Sequence, residues 1–116
     1  MKELFENLRN SGADIDGALR RFSNNEALFE KCLLRMNQDT SIAALNAAID
    51  AKDFDAMEKA AHALKGISGN LGLSPLYETV SEVVALLRAG ENNEAITLSK
   101  DVKQMYDDVL AIINSN

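Results

Sequence analysis

The sequence predicts an all-α protein: an antiparallel up-and-down four-helix bundle with short additional helices at its N-terminus. Aromatic residues make up only 5% of the chain and proline occurs once, whereas Ala, Leu, Glu and Lys are frequent, which favours helix over strand. Apolar residues recur at steps of three and four, and the joints between these segments are short, as expected for antiparallel neighbours. A chain of 116 residues supports a single core, so we expect one domain, residues 1–116.

The apolar pattern in the first third of the chain predicts three short helices. Two of them lie between Lys2 and about Phe22, separated near Ser11-Gly12, where the apolar repeat is interrupted. The third opens at Ser23-Asn24-Asn25-Glu26, which has the Ser-x-x-Glu form of a capping box with serine as the cap, and it should end near Gln38. We expect the first two helices to cap the bundle.

Four longer segments then supply the bundle itself. We predict helices at residues 40–51, 53–71 and 74–90, and a last helix that follows the polar joint at residues 91–93 and continues to about Ile112. Ser74-Pro75 is a typical helix start, with serine as the cap and proline in the first turn. Gly90 suits the left-handed residue that follows a helix.

Charge and composition exclude several classes of function. The net charge is −6 and no Lys/Arg cluster with interleaved aromatics is present, so nucleic acid is not an expected partner. We find no apolar run of about 18 residues and no secretion signal, and therefore expect a cytoplasmic protein without a membrane partner. One cysteine, Cys32, and one histidine cannot form a four-ligand zinc site, so we predict no metal and no cofactor.

The only histidine, His62, lies on the predicted 53–71 helix and should point away from the core. On a helical wheel at about 100° per residue, the residues on the side opposite His62 are nearly all apolar or small. They are Met57, Ala60, Ala61, Leu64, Ile67, Ser68 and Leu71. An exposed imidazole is largely neutral at pH 7 and can attack phosphorus through a free ring nitrogen.

Two glycines on the histidine side of this helix require an explanation, because each costs about 0.8–1 kcal/mol relative to alanine inside a helix. Gly66 lies one turn beyond His62 and Gly69 nearly two, so we expect their missing side chains to leave a shallow channel where a partner docks. Lys65 and Lys59 each lie one turn from the imidazole, on opposite sides, and either could offset the charge of a phosphorylated ring. We favour Lys65, which shares the glycine side.

The stretch from His62 to Gly72 reads His-Ala-Leu-Lys-Gly-Ile-Ser-Gly-Asn-Leu-Gly. It resembles the His-x-Leu-Lys-Gly-x-Ser-x-x-x-Gly signature of histidine-containing phosphotransfer (HPt) domains, which act in multistep two-component phosphorelays. Residues 12–22, the Asn-Asn-Glu-Ala-Leu-Phe that follows and residues 76–90 also resemble blocks of this family. Val83 and Val84 depart from it, since many relatives carry an acidic residue in this stretch.

The resemblance implies that His62 is the phosphoacceptor, that Lys65 neighbours the phosphoryl group and that Gly66 leaves room for the partner. Ser68 and Gly72 match positions that require small residues; the wheel makes Ser68 a packing position, and Gly72 should help to end the helix. The implied partners are receiver domains of response regulators or hybrid sensor kinases, each with an aspartate and a bound magnesium ion. The chain would be a monomeric phosphocarrier without kinase activity, since it has no glycine-rich nucleotide loop.

The sequence also allows a second function. The bundle could be a helical adaptor that binds a signalling partner without phosphotransfer. A hydrolase or metalloenzyme is disfavoured, because the sequence contains no second histidine and no nucleophile–base pair.

Overall fold

The computed structural model describes residues 2–115; Met1 and Asn116, the ends of the predicted domain, lie outside the described residues. The described chain is all-α, as predicted, with seven α-helices and one 3₁₀ helix at Arg35–Gln38. The α-helices are α1 (Glu3–Asn10), α2 (Ile15–Arg21), α3 (Glu26–Leu34), α4 (Ser41–Ala51), α5 (Phe54–Asn70), α6 (Ser74–Arg88) and α7 (Asn92–Asn114). None of the helices within residues 2–115 is both long and apolar enough to cross a membrane.

Helices α4 to α7 form the predicted bundle. Each packs against the next along the chain, α4 on α5, α5 on α6 and α6 on α7. Two contacts show that α5 and α6 are antiparallel: Glu58, early in α5, pairs with Arg88 at the end of α6, whereas Gly69, late in α5, lies against Tyr77 near the start of α6. The elongated molecule, 43 × 23 × 21 Å, has one continuous core along these helices.

The N-terminal helices pack at one end of this bundle. Their centre is an aromatic cluster in which the ring of Phe29 lies 5.4 Å from that of Phe5 and 5.3 Å from that of Phe22, between centroids. Phe5 and Phe29 are completely buried, and α1 also contacts α7. Burial of these large rings explains why three helices of seven to nine residues, too short to be stable alone, hold their places.

A close backbone approach joins the N-terminal helices to the end of α5. The backbone N–H of Asp14 donates to the carbonyl of Gly72 at 2.8 Å. Gly72 has a φ of +72°, and a Cβ at this position would collide with the carbonyl oxygen of Asp14 and lie 3.0 Å from Ala18 Cβ. Gly72 therefore ends the helix, as predicted, and also allows this contact.

Two of the predicted helix caps are wrong. Ser23 does not cap α3, because Ser23 and Asn24 adopt left-handed φ values of 54° and 59° in the turn that closes α2. The cap is Asn25, whose side-chain oxygen accepts from Leu28 N at 3.1 Å. At α6 the cap position falls on Leu73, and Ser74 is already the first helical residue. Gly90, with φ +78°, follows α6 as predicted.

Candidate functional site

The helix that carries His62 starts at a strong cap and ends shortly before Gly72. Lys52 adopts a left-handed φ of 51° that turns the chain out of α4, and the Asp53 carboxylate then accepts from Ala56 N at 3.1 Å. This bond satisfies one of the free N–H groups of the first turn, and Asp53 places negative charge at the positive end of the helix dipole. Helix α5 thus begins one residue after the predicted position and ends one residue before it.

The imidazole of His62 points to solvent, as the helical wheel predicts. Six of the seven residues predicted to face the core are buried, and the seventh, Ile67, is partly buried. His62 itself is exposed on the opposite side. Ser68 is fully buried and its hydroxyl donates to the carbonyl of Leu64 at 2.7 Å, so it is a packing position whose polar group has a partner in its own helix.

The two glycines on the histidine side of α5 have different surroundings. A Cβ on Gly66 would meet no atom within 4 Å, so the surface one turn beyond His62 is open. A Cβ on Gly69 would lie 3.0 Å from two ring carbons of Tyr77. The channel expected from the sequence is therefore open at Gly66 but occupied at Gly69 by the ring of Tyr77, a residue that is 38% exposed.

His62 borders a shallow surface depression of about 440 Å³ that is lined by both cationic and carboxylate side chains. Its lining residues are Asp55, Glu58, Lys59, His62 and Arg88. Lys59, which we did not favour as the neighbour of the phosphoryl group, thus shares the depression with the imidazole. Lys65 is half-buried and lies one helical turn from His62 on the other side.

Arg88 is a residue of the depression that the sequence did not identify. It belongs to the last turn of α6, and its Nε lies 3.2 Å from Glu58 Oε2, with both side chains substantially exposed. Arg88 reaches the depression beside His62 only because α6 returns antiparallel to α5, so its place there depends on the register between two helices. A basic residue in the last turn of the following helix was the available signal, but the sequence alone does not determine this register.

The described residues offer a nucleophile and positive charge. Within residues 2–115, no group of three or more His, Cys, Asp or Glu side chains is placed to hold a metal ion. An exposed imidazole flanked by Lys59, Lys65 and Arg88 can bind an anionic phosphoryl group and attack its phosphorus.

Comparison with known proteins identifies the family of this chain. Residues 2–112 match the Hpt domain family. A comparison with curated proteins finds no match, and neither does a comparison with solved structures. Hpt domains carry out histidine phosphotransfer in phosphorelays, interact with receiver domains and are phosphocarriers rather than kinases. Because the match spans nearly all of its 116 residues, the chain belongs to the Hpt domain family.

Proposed function

We propose that His62 accepts a phosphoryl group from the aspartyl-phosphate of a receiver domain and passes it reversibly to the aspartate of another. The observation that carries this proposal is the direction of the imidazole. His62 is exposed on a helix whose opposite side is buried, and Lys59 of α5 and Arg88 of α6 line the same depression. A histidine placed in this way is accessible to a partner as large as a receiver domain.

The transfer is a displacement at phosphorus. A lone pair of one imidazole nitrogen forms the P–N bond while the P–O bond of the aspartyl-phosphate breaks, and the carboxylate leaves with the bonding electrons. The ring becomes an N-phosphoryl imidazolium whose other nitrogen keeps its proton, so this chain needs no general base for the step. The reverse reaction exchanges the same bonds, and the phosphoryl group can therefore move in either direction.

Catalysis of this displacement requires alignment of donor and acceptor and neutralisation of charge. The receiver would contribute its aspartate and magnesium ion. This chain contributes the imidazole, the positive charge of Lys65, Lys59 and Arg88, and the open surface at Gly66, which permits close approach of the partner. Lys65 remains our candidate for the direct neighbour of the phosphoryl group, and Gly69 would contribute to docking through the Tyr77 ring that covers it.

The test is incubation with a receiver domain that has been phosphorylated with radiolabelled phosphate. We expect the label to appear on this chain in an acid-labile, base-stable bond and to be lost in His62→Gln. Lys103→Gln, an exposed substitution on α7, serves as the control and should retain the label. Label that persists in His62→Gln, or no label in the wild-type chain with any receiver of the same genome, would contradict the proposal. In the second case, binding without transfer would favour the helical adaptor.

A further inference from the structure

Glu58 is a negative side chain in a site that has to receive negative charge. It lies one helical turn before His62, borders the same depression, and pairs with Arg88 through a 3.2 Å contact. Its side chain is 38% exposed, so the carboxylate remains accessible to solvent and salt. The proposed phosphotransfer assigns no role to this carboxylate.

Phosphorylation of His62 would reverse the electrostatic preference of this group of side chains. A phosphoryl group carries about two negative charges and accepts hydrogen bonds through three oxygens, so it competes with the single carboxylate of Glu58 for the Arg88 guanidinium. At the same time Glu58 and the phosphoryl group repel each other across one helical turn. The Glu58–Arg88 pair therefore stabilises the unphosphorylated chain and opposes the phosphorylated one.

We propose that Glu58 is a positioning residue that sets the phosphoryl-transfer equilibrium of His62. In the unphosphorylated chain it holds Arg88 beside the imidazole; in the phosphorylated chain Arg88 turns to the phosphoryl group and Glu58 is left without its partner. The carboxylate thereby lowers the affinity of His62 for the phosphoryl group and keeps the group transferable to the next aspartate. This inference rests on the proposed phosphotransfer.

The measurement is the equilibrium constant between the phosphorylated receiver and phosphorylated His62, obtained from forward and reverse transfer rates with one receiver domain. We expect Glu58→Gln to shift it toward phosphohistidine by about two- to five-fold, the size expected for surface charges one turn apart when one of them is double. Arg88→Gln should shift it in the opposite direction. High salt should reduce both shifts, because exposed charges are screened.

The double variant and a matched control separate this role from a structural one. In the Arg88→Gln background, Glu58→Gln should have a smaller effect, since only the repulsion and not the ion pair is then removed. Glu82→Gln makes the same change of net charge at an exposed site that faces α7, and it should leave the equilibrium constant unaltered.

The outcomes distinguish this inference from the proposed function. If His62 of the wild-type chain is labelled but Glu58→Gln behaves like Glu82→Gln, or shifts the equilibrium toward the receiver, the role of Glu58 is refuted and the phosphotransfer stands. If the wild-type chain takes no label on His62, the proposed function itself fails. A shift in Glu58→Gln that keeps its full size in the Arg88→Gln background would refute the exchange of partners by Arg88.

Discussion

Replacement of Gly66 by alanine should make the protein more stable and less active. The position is inside α5, its φ is not positive, and an added Cβ would meet no atom within 4 Å. The alanine should therefore gain its full helix propensity, about 0.8–1 kcal/mol in the free energy of unfolding. With an unfolding entropy of about 2.1 cal/mol/K per residue, this corresponds to a rise in melting temperature of about 3–4 °C for a chain of this length.

The loss of activity follows from the place of the new methyl group. It would stand on the exposed surface one turn beyond His62, where we propose that the receiver approaches closely. A displacement of about 1 Å between donor and acceptor can lower the rate by up to about a hundredfold, so we expect transfer to Gly66→Ala to be about tenfold slower. Urea denaturation measures the first effect, and the rate of label transfer from a phosphorylated receiver measures the second.

Two further variants make this test specific. Thr97→Ala, on the exposed side of α7, should also stabilise a helix but leave transfer unchanged. Gly69→Ala should gain less stability than Gly66→Ala, because its Cβ would press on the Tyr77 ring at 3.0 Å. A Gly66→Ala protein that is more stable yet transfers at the wild-type rate would refute our explanation of this glycine, and one that gains no stability would refute the open surface.

Three other substitutions test separate parts of the structure. Lys65→Ala should slow transfer several-fold with little change in the urea midpoint, and unfolding instead would identify a structural lysine. Gly72→Ala should destabilise the protein by about 1–3 kcal/mol, because alanine is strained at φ +72° and its Cβ would collide with the carbonyl oxygen of Asp14; an unchanged urea midpoint would contradict this. Tyr106→Phe should cost about 1–3 kcal/mol by removing the 2.8 Å hydrogen bond that the buried hydroxyl donates to the Met36 carbonyl. Burial, and then the carboxylate of Asp39 just after the 3₁₀ helix, raise the pKa of Tyr106. Above about pH 10 the tyrosine ionises first in the unfolded chain, so wild-type stability should fall relative to the phenylalanine variant; parallel pH profiles of the two proteins would refute this.

Most of the fold could be predicted from the sequence, because the long helices carry regular apolar stripes. The limits of α5 and the end of α6 come within one or two residues of their predicted positions. The two wrong caps lie where two elements compete for one short segment. Ser23 has a good capping side chain, but its backbone is already used by the turn that closes α2, and local pattern does not show which helix prevails.

The site could be predicted only as far as one helix extends. The exposure of His62 and the burial of Ser68 follow from the helical period alone. Arg88 and the Tyr77 ring come from α6. Which residues of α5 they contact depends on the relative axial position of the two antiparallel helices. Packing of the whole core sets this relative position, so the local sequence around Arg88 or Tyr77 does not show that either residue lies beside the site.

The segment that resembles the family signature contains two kinds of residue, and the structure separates them. Leu64, Ser68 and Gly72 face inward or end the helix, and their identity is required by packing and by the approach of Asp14. His62 and Gly66 face solvent and contribute nothing to the core. Substitutions in the second group should therefore leave the stability of the fold intact, whereas substitutions in the first should lower it. A chain that kept the inward residues but lost the histidine would still form the bundle and dock its partner, and it would have the function of an adaptor; for this reason His62→Gln, and not a test of folding or binding, decides between the two functions.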